Sequence, residues 1–401
     1  MISVVIFILI LGFLVLIHEF GHFIVAKKSG VRVEEFGFGF PPRLWGKKIG
    51  DTIYSVNAIP LGGFVKLFGE EYNELPQSPK SPKSPLPAEA LRIGGAKVGQ
   101  YSHAFVYKKP WIKTLIILAG VIMNAALGIT IYYSLLTVNH FQSEPLPLLR
   151  PYHFRFGTQE GRVIATNITK GSPAEKAGIK VEDIVQRYRI GLSPWTQITT
   201  SSELINFIKS SPGIPVTLDL ENVKNGSKKV VSLVPVYNVK LKRAIIGVNL
   251  LDTVVLKYET PKQKLFSGFM HSYNILAYNY STIGELFKVA VKEKSLEPVS
   301  HTVSGPIGIY SIVNEIVKTS GEKLIKNVLN IMALLSLSLA AMNVLPLPAL
   351  DGGRLVFIIF EWITGRPIHK KIEQYINLGG FVLLIALGIL VSINDVMRLF
   401  K

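Results

Sequence analysis

Apolar residues in this chain are gathered into long blocks, not scattered at the spacing of an ordinary soluble core. Residues 1–17 carry no charge, and the first lysine is Lys27. That run predicts a membrane-spanning helix of about 20–25 residues. It lacks the basic opening and small-x-small cleavage site that a signal peptide needs. A second apolar run covers residues 115–138 and a third covers residues 328–347, followed by a shorter one at 355–363. A fourth covers residues 376–393. The pattern predicts four spans, the third of them broken.

Between the blocks the period changes. Residues 161–251 hold short β runs, "RVIATNI", "PVTLDL" and "KKVVSLVPV", with "KNGSK" reading as a hairpin turn. Helices are expected at "SPAEKAGI", with a serine cap and an early proline, and at "SSELINFIKS". Residues 258–292 read as one long helix of mixed polarity lying on the outer membrane face. Residues 31–66 look extended, with "IPLGG" as a turn, and residues 74–89, rich in Pro, Ser and Lys, read as a linker.

Short basic flanks give an orientation. Lys27 and Lys28, then Lys108, Lys109 and Lys113, then Arg366, Lys370 and Lys371 all belong on the cytoplasmic side. Both termini and the long loop after the second span then face outward. Lys323 and Lys326 point weakly the other way, but long loops cross largely regardless of charge.

Composition agrees with a membrane protein: 48% of residues are hydrophobic and only 18% charged. The net charge is +17, but the basic residues are dispersed and accompany no nucleic-acid-binding motif. Anionic lipid headgroups account for the sign, and no nucleic-acid partner is expected. With no cysteine, disulfides and thiolate metal sites are excluded, so a metal would need His, Asp, Glu or backbone oxygen.

One such set lies inside the first apolar block, in "LVLIHEFGHFIVAKK". His18 and His22 are four apart, share one helix face and can hold one zinc ion, with Glu19 beside them as general base. On a soluble surface these would be ordinary polar residues. In a spanning helix, unpaired His and Glu cost on the order of several kcal/mol unless they have a role. A helix rising about 1.5 Å per residue puts His18 roughly 25 Å from the chain start, near the cytoplasmic edge of the bilayer core.

Zinc enzymes use three protein ligands and keep one position open. The later metzincin positions are Val25 and Lys28, and residues 36–50 contain no acid for a thermolysin-like third ligand. Acids at membrane depth remain: Asp351, Glu361 and Asp395. Asp351 is the best of these, because Pro346, Pro348, Gly352 and Gly353 break the helix around it. Irregular backbone survives at that depth only where it is buried in protein or lines a cavity. Glu361, beside Trp362, reads as an interfacial carboxylate reaching toward water, and Asp395 as a helix-terminal residue. Asn343 suits either of two roles, satisfying backbone freed by the break or hydrogen-bonding the scissile peptide. Asn124 suits an inter-helix contact or a substrate contact. The other histidines, His103, His140, His153, His271, His301 and His369, have no metal spacing and read as surface or interfacial residues.

These residues resemble the site-2 protease family of zinc intramembrane metalloproteases, most closely its bacterial regulator-of-sigma-E protease branch, in a single-PDZ form. The resemblance rests on "HEFGH", "NVLPLPALDGG", "FGFGFPPRLW", "IPLGGFVKL", "SGPIGI" and the stretch from Trp111 to Asn124. The second-span motif departs from the family's usual Gly-Pro-x-x-Asn-Phe at Val121 and Ala125.

The resemblance implies a polytopic α-helical membrane protein with about four transmembrane helices, one broken, a membrane-associated β hairpin and one extracytoplasmic PDZ-like α+β domain. It implies His18, His22 and Asp351 as Zn2+ ligands, Glu19 as catalytic acid/base and Asn343 near the scissile bond. A hairpin at about residues 50–68 would bind unwound substrate at its edge, and the PDZ-like domain would filter substrates by size. The expected plan is then a first span at 1–26 and a cytoplasmic-side region at 27–110. A second span at 111–138, a linker at 139–160 and the PDZ-like domain at 161–251 follow. An extracytoplasmic amphipathic helix and linker at 252–326, a broken third span at 327–363, a loop at 364–375 and a fourth span at 376–397 complete it.

The implied activity is zinc-dependent endopeptidase cleavage within or near transmembrane helices of single-pass membrane proteins or leftover signal peptides, in a bacterial inner membrane. An inactive adaptor built on the PDZ-like domain is disfavoured by Glu19. A metal transporter is disfavoured because one His pair does not line a path.

Overall fold

The computed structural model describes residues 2–70, 103–223, 226–295 and 304–399. The Pro/Ser/Lys-rich stretch at 74–89 and His301 lie outside the described residues. The chain divides into two compact units, residues 1–132 with 283–401, and residues 133–282.

In the first unit, four helices are long and apolar enough to cross a membrane. They are α1 (Ile2–Lys28), α2 (Pro110–Val138), the helix reached at Gly321–Asn343, and one at Lys371–Arg398. After α1, β1 (Val33–Ile49) and β2 (Thr52–Leu67) each turn back on themselves. Residues 33–38 lie between 63–67 on one side and 53–56 on the other, and 43–49 pair outside 52–57. The expected hairpin at 50–68 is therefore half of a four-segment sheet whose edges are 43–49 and 63–67. Gly39 (φ 83°) and Gly62 (φ 141°) supply backbone conformations that a side chain rarely adopts where the chain reverses. The root of the sheet, Val33 and Leu67, packs with Ala26 of α1 and Ile116 of α2.

The second unit is built on an antiparallel sheet. Its strands are β3 (Leu146–Pro147), β4 (Thr158–Ile168), β5 (Asp183–Ile190), β6 (Thr196–Gln197), β7 (Val216–Asn222) and β8 (Lys228–Leu233). A small separate ribbon, β9 (Val236–Asn238) with β10 (Arg243–Ile245), precedes β11 (Val248–Lys257). The order is β3-β11-β4-β5-β7-β8, with β6 on β5. Two short helices complete the module, α3 (Pro173–Lys176) and α4 (Ser201–Lys209). Ser172 caps α3 by accepting from the Glu175 N–H, as its sequence position implies. Leu204 and Ile208 of α4 bury against Val163, Val185, Leu218 and Leu220, which alternate inward along their strands.

The stretch expected to be helix and linker at 252–326 contains more structure than that. Residues 252–257 belong to β11. Short α5 (Pro261–Leu265) precedes α6 (Ser267–Glu293), so the helix expected across 258–292 is interrupted. Then "SGPIGI" opens α7 (Pro306–Thr319), whose Val313 is buried with Ile10 and Leu14 of α1. Asp395 accepts from the Gly305 and Gly308 N–H groups at 2.9 and 2.8 Å, capping α7. It is 3% exposed and lies near the end of its own helix, as its position implies, where it also caps another. α8 (Leu324–Asn343), α9 (Asp351–Thr364) and α10 (Lys370–Leu399) finish the chain.

His271 corrects the surface reading given to the lone histidines. It is 4% exposed, with Nδ1 3.1 Å from the Tyr258 hydroxyl. Burial pushes its imidazole down to about 4. Its folded pKa lies below the unfolded value of about 6.5, so the unfolded chain binds the proton more readily between the two. Stability is therefore lost as pH falls from about 6.5 toward 4. We expect this group to cost about 2–3 kcal/mol between pH 7 and 4.5. Thermal unfolding of the full chain in micelles should show a weaker acid dependence in His271→Gln, and identical slopes would exclude His271 as the cause.

Candidate metal centre

His18 and His22 lie on one face of α1, both buried, with their Nε2 atoms 3.2 Å apart. The His22 Nδ1–H donates to the Ile116 carbonyl of α2 at 2.8 Å. That bond selects the tautomer with an Nε2 lone pair facing inward. α1 approaches α2 closely because position 21 is glycine: a Cβ there would stand 2.4 Å from the Ala119 carbonyl oxygen.

Asp351 arrives from the other end of the chain. α8 stops at Asn343 and residues 344–350 run irregularly, with Ala349 at φ 69°. Asp351 is the first residue of α9, where a carboxylate is favoured by the helix dipole. Gly352 and Gly353 let the broken segment fold onto this first turn, since added Cβ atoms would lie 2.0 Å from the Leu345 and 2.3 Å from the Leu347 carbonyl oxygens. The result puts Asp351 Oδ2 at 2.9 Å from His18 Nε2 and 3.4 Å from His22 Nε2.

The three groups converge with ligand atoms within 4.8 Å of one another. Asp351 Oδ2 is buried and accepts no hydrogen bond. With both imidazoles neutral, three lone pairs would face one another with no proton between them, an arrangement that a cation resolves. Ligand atoms about 2.1 Å from a tetrahedral zinc sit about 3.4 Å apart, close to the separations here. Two nitrogens and one carboxylate also match the donor set of catalytic zinc sites.

Glu19 lies one residue from His18, half-buried. The sheet edge reaches it: a Cβ on Gly63 would be 3.2 Å from Glu19 Cγ. Gly120 of α2 closes the other side, where a Cβ would stand 2.5 Å from His22 Nε2 and 2.8 Å from His18 Nε2. The sequence pattern does not single out Gly120 or Gly63 as site residues. The signal was a glycine one turn before Asn124 in an otherwise bulky run.

The remaining candidates go elsewhere. Asn343 is half-buried at the end of α8, and its side chain makes no hydrogen bond to the described residues. Asn124 is 1% exposed, with neither side-chain polar atom partnered, while its carbonyl accepts from Ser336 Oγ of α8 at 2.7 Å. Glu361 does not reach toward water as an interfacial carboxylate. Lys113 donates to both its oxygens at 2.8 and 2.9 Å.

Known proteins are similar to this chain over nearly its full length. The model for peptidase family M50 matches residues 6–387. A relative from Clostridium acetobutylicum is 31% identical over 98% of this chain and 97% of its own. The zinc metalloprotease RasP of Oceanobacillus iheyensis is 28% identical over the whole of both chains. Among solved structures, a PDZ domain from Listeria monocytogenes matches 26% of this chain and 93% of its own, at 16% identity and a TM-score of 0.19.

Proposed function

The chain belongs to peptidase family M50, the site-2 proteases, and from that premise we propose that it is a zinc-dependent intramembrane endopeptidase cutting within or near transmembrane helices. One observation carries the reading. Two histidines of a span-length apolar helix and an aspartate from a broken helix converge, the aspartate Oδ2 buried without a hydrogen-bond partner, directly beside a glutamate.

His18, His22 and Asp351 would hold the metal. Zinc, when bound, supplies Lewis acidity that activates water and polarises the scissile carbonyl. Glu19 takes the proton of the attacking water as the new C–O bond forms, then delivers it to the amide nitrogen as the C–N bond breaks. A peptide bond inside a helix is shielded by its own hydrogen bonds, so substrate must first unwind. Residues 63–67 are a sheet edge next to Glu19 and can receive an extended segment by strand addition. Asn343, its side chain uncommitted, is available to the substrate peptide, and Asn124 would reach substrate only if α2 and α8 parted.

On this reading the basic flanks lie in the cytoplasm of a bacterium, and the termini and second unit lie outside. The second unit acts as a PDZ-like size filter. Substrates are single-pass proteins of the anti-sigma-factor kind or remnant signal peptides.

The test uses the purified chain in proteoliposomes with a single-pass substrate carrying a helix-breaking pair. Cleavage within the span should stop on zinc chelation and return on adding zinc. Cleavage that survives complete zinc removal, or confined to soluble peptides, would sink the reading.

A further inference from the structure

α9 carries the third candidate ligand at its first residue, yet it is poorly anchored by packing. Apart from Gly352 and Gly353, its only buried residue is Ile358. Val356, Ile359, Phe360, Trp362 and Ile363 are exposed. No side chain caps its N-terminus, and the segment leading into it is irregular. A ligand helix so loosely packed needs another attachment, because a carboxylate must be held to within about 0.5 Å for a site to be productive.

Two ion pairs provide it. Lys113 of α2 is 4% exposed and holds both oxygens of Glu361 at 2.8 and 2.9 Å. Two turns earlier on the same face of α9, Arg354 pairs with Glu70, just beyond β2. The Lys113 pair is the more buried of the two, with side chains 5% and 21% exposed against 49% and 23%. It is therefore the less screened by solvent.

α2 also fixes the histidines. Its Ile116 carbonyl orients His22, and its Gly120 backs both imidazoles. One helix thus sets the position of all three ligands, directly for His18 and His22 and through Lys113 and Glu361 for Asp351. We propose that Lys113 and Glu361 are positioning residues that clamp the Asp351 helix to α2 and so set how tightly the chain holds its zinc.

This rests on the zinc-protease reading, and its test separates the two. Zinc affinity of the full chain in micelles is measured by competition with a chelating dye, beside the melting temperature of the zinc-free protein. Lys113→Met and Glu361→Gln should each weaken zinc by roughly ten- to hundred-fold, the usual effect of removing outer support from a metal site. The exchange K113E/E361K, which restores the pair with reversed polarity, should recover affinity to within about threefold. If Lys113→Met fails to fold, Glu361→Gln, nearly identical in shape, carries the test. Single variants that bind zinc like wild type overturn the clamp, as does an exchange no tighter than the singles. A wild-type chain whose zinc binding is unchanged by His18→Ala overturns the zinc-protease reading itself.

Discussion

Glu19→Gln should lower cleavage of a membrane-embedded substrate by roughly 10²–10⁴-fold, the range of a lost general base, while zinc stays bound. The substitution keeps the shape of the side chain, so the approach of Gly63 to position 19 is preserved. It leaves His18, His22 and Asp351 untouched, so the donor set is intact. What disappears is the carboxylate that, on the proposed reading, accepts the water proton and returns it to the leaving nitrogen. Zinc content by elemental analysis and turnover on the same preparation check both halves. Turnover within about threefold of wild type would remove Glu19 from the chemistry. Loss of zinc together with turnover would make its role structural.

Gly120→Ala should fail in the opposite way, losing zinc and activity together. The new methyl group would sit 2.5 Å from His22 Nε2 and within 2.8 Å of two His18 ring atoms. Contacts that short must be relieved by movement. The backbone has little freedom to move, because α1 and α2 already touch through Gly21 and the Ala119 carbonyl. The imidazoles must therefore rotate, and His22 must give up its bond to the Ile116 carbonyl. Overpacking of this kind costs about 1–3 kcal/mol in stability, and displacing two of three ligands should abolish detectable zinc binding at micromolar metal. Gly388→Ala is the matched control, since a Cβ there meets nothing within 4 Å. An alanine at position 120 that retains full zinc binding would show that the ligands are arranged differently. The pair of outcomes is diagnostic: Glu19→Gln separates chemistry from metal binding, and Gly120→Ala does not.

Several features were legible from the chain alone because they are local. A charge-free run with two histidines four apart needs only helical periodicity to put both rings on one face. Prolines at 346 and 348 and glycines at 352 and 353 announce a broken helix wherever they occur. Alternating β-branched residues and a Ser-Pro start gave the strands of the second unit and its first helix. Misreadings arose where a residue's meaning depends on a distant neighbour. Glu361 beside a tryptophan looks interfacial until Lys113 is placed against it. Asp395 does lie near a helix end, but that it caps α7 shows only once α7 is docked beside it. His271 looks like a surface residue until Tyr258 covers it. The four-segment sheet looked like one hairpin because its central segment pairs with strands on both sides, which no single turn reports.

The sequence by itself determined the four span-length apolar helices, the shared face of His18 and His22, the break before Asp351 and the family. Each follows from interactions among residues close along the chain, where backbone geometry converts spacing directly into position. Only the tertiary structure brought Asp351 within reach of the two histidines and made Gly120 and Gly63 the walls of the site. It also placed α2 against His22 through the Ile116 carbonyl and, through Lys113 and Glu361, against the helix that begins at Asp351. Those outcomes depend on close approach of helix backbones and on buried charges finding partners, and both are set by packing in three dimensions.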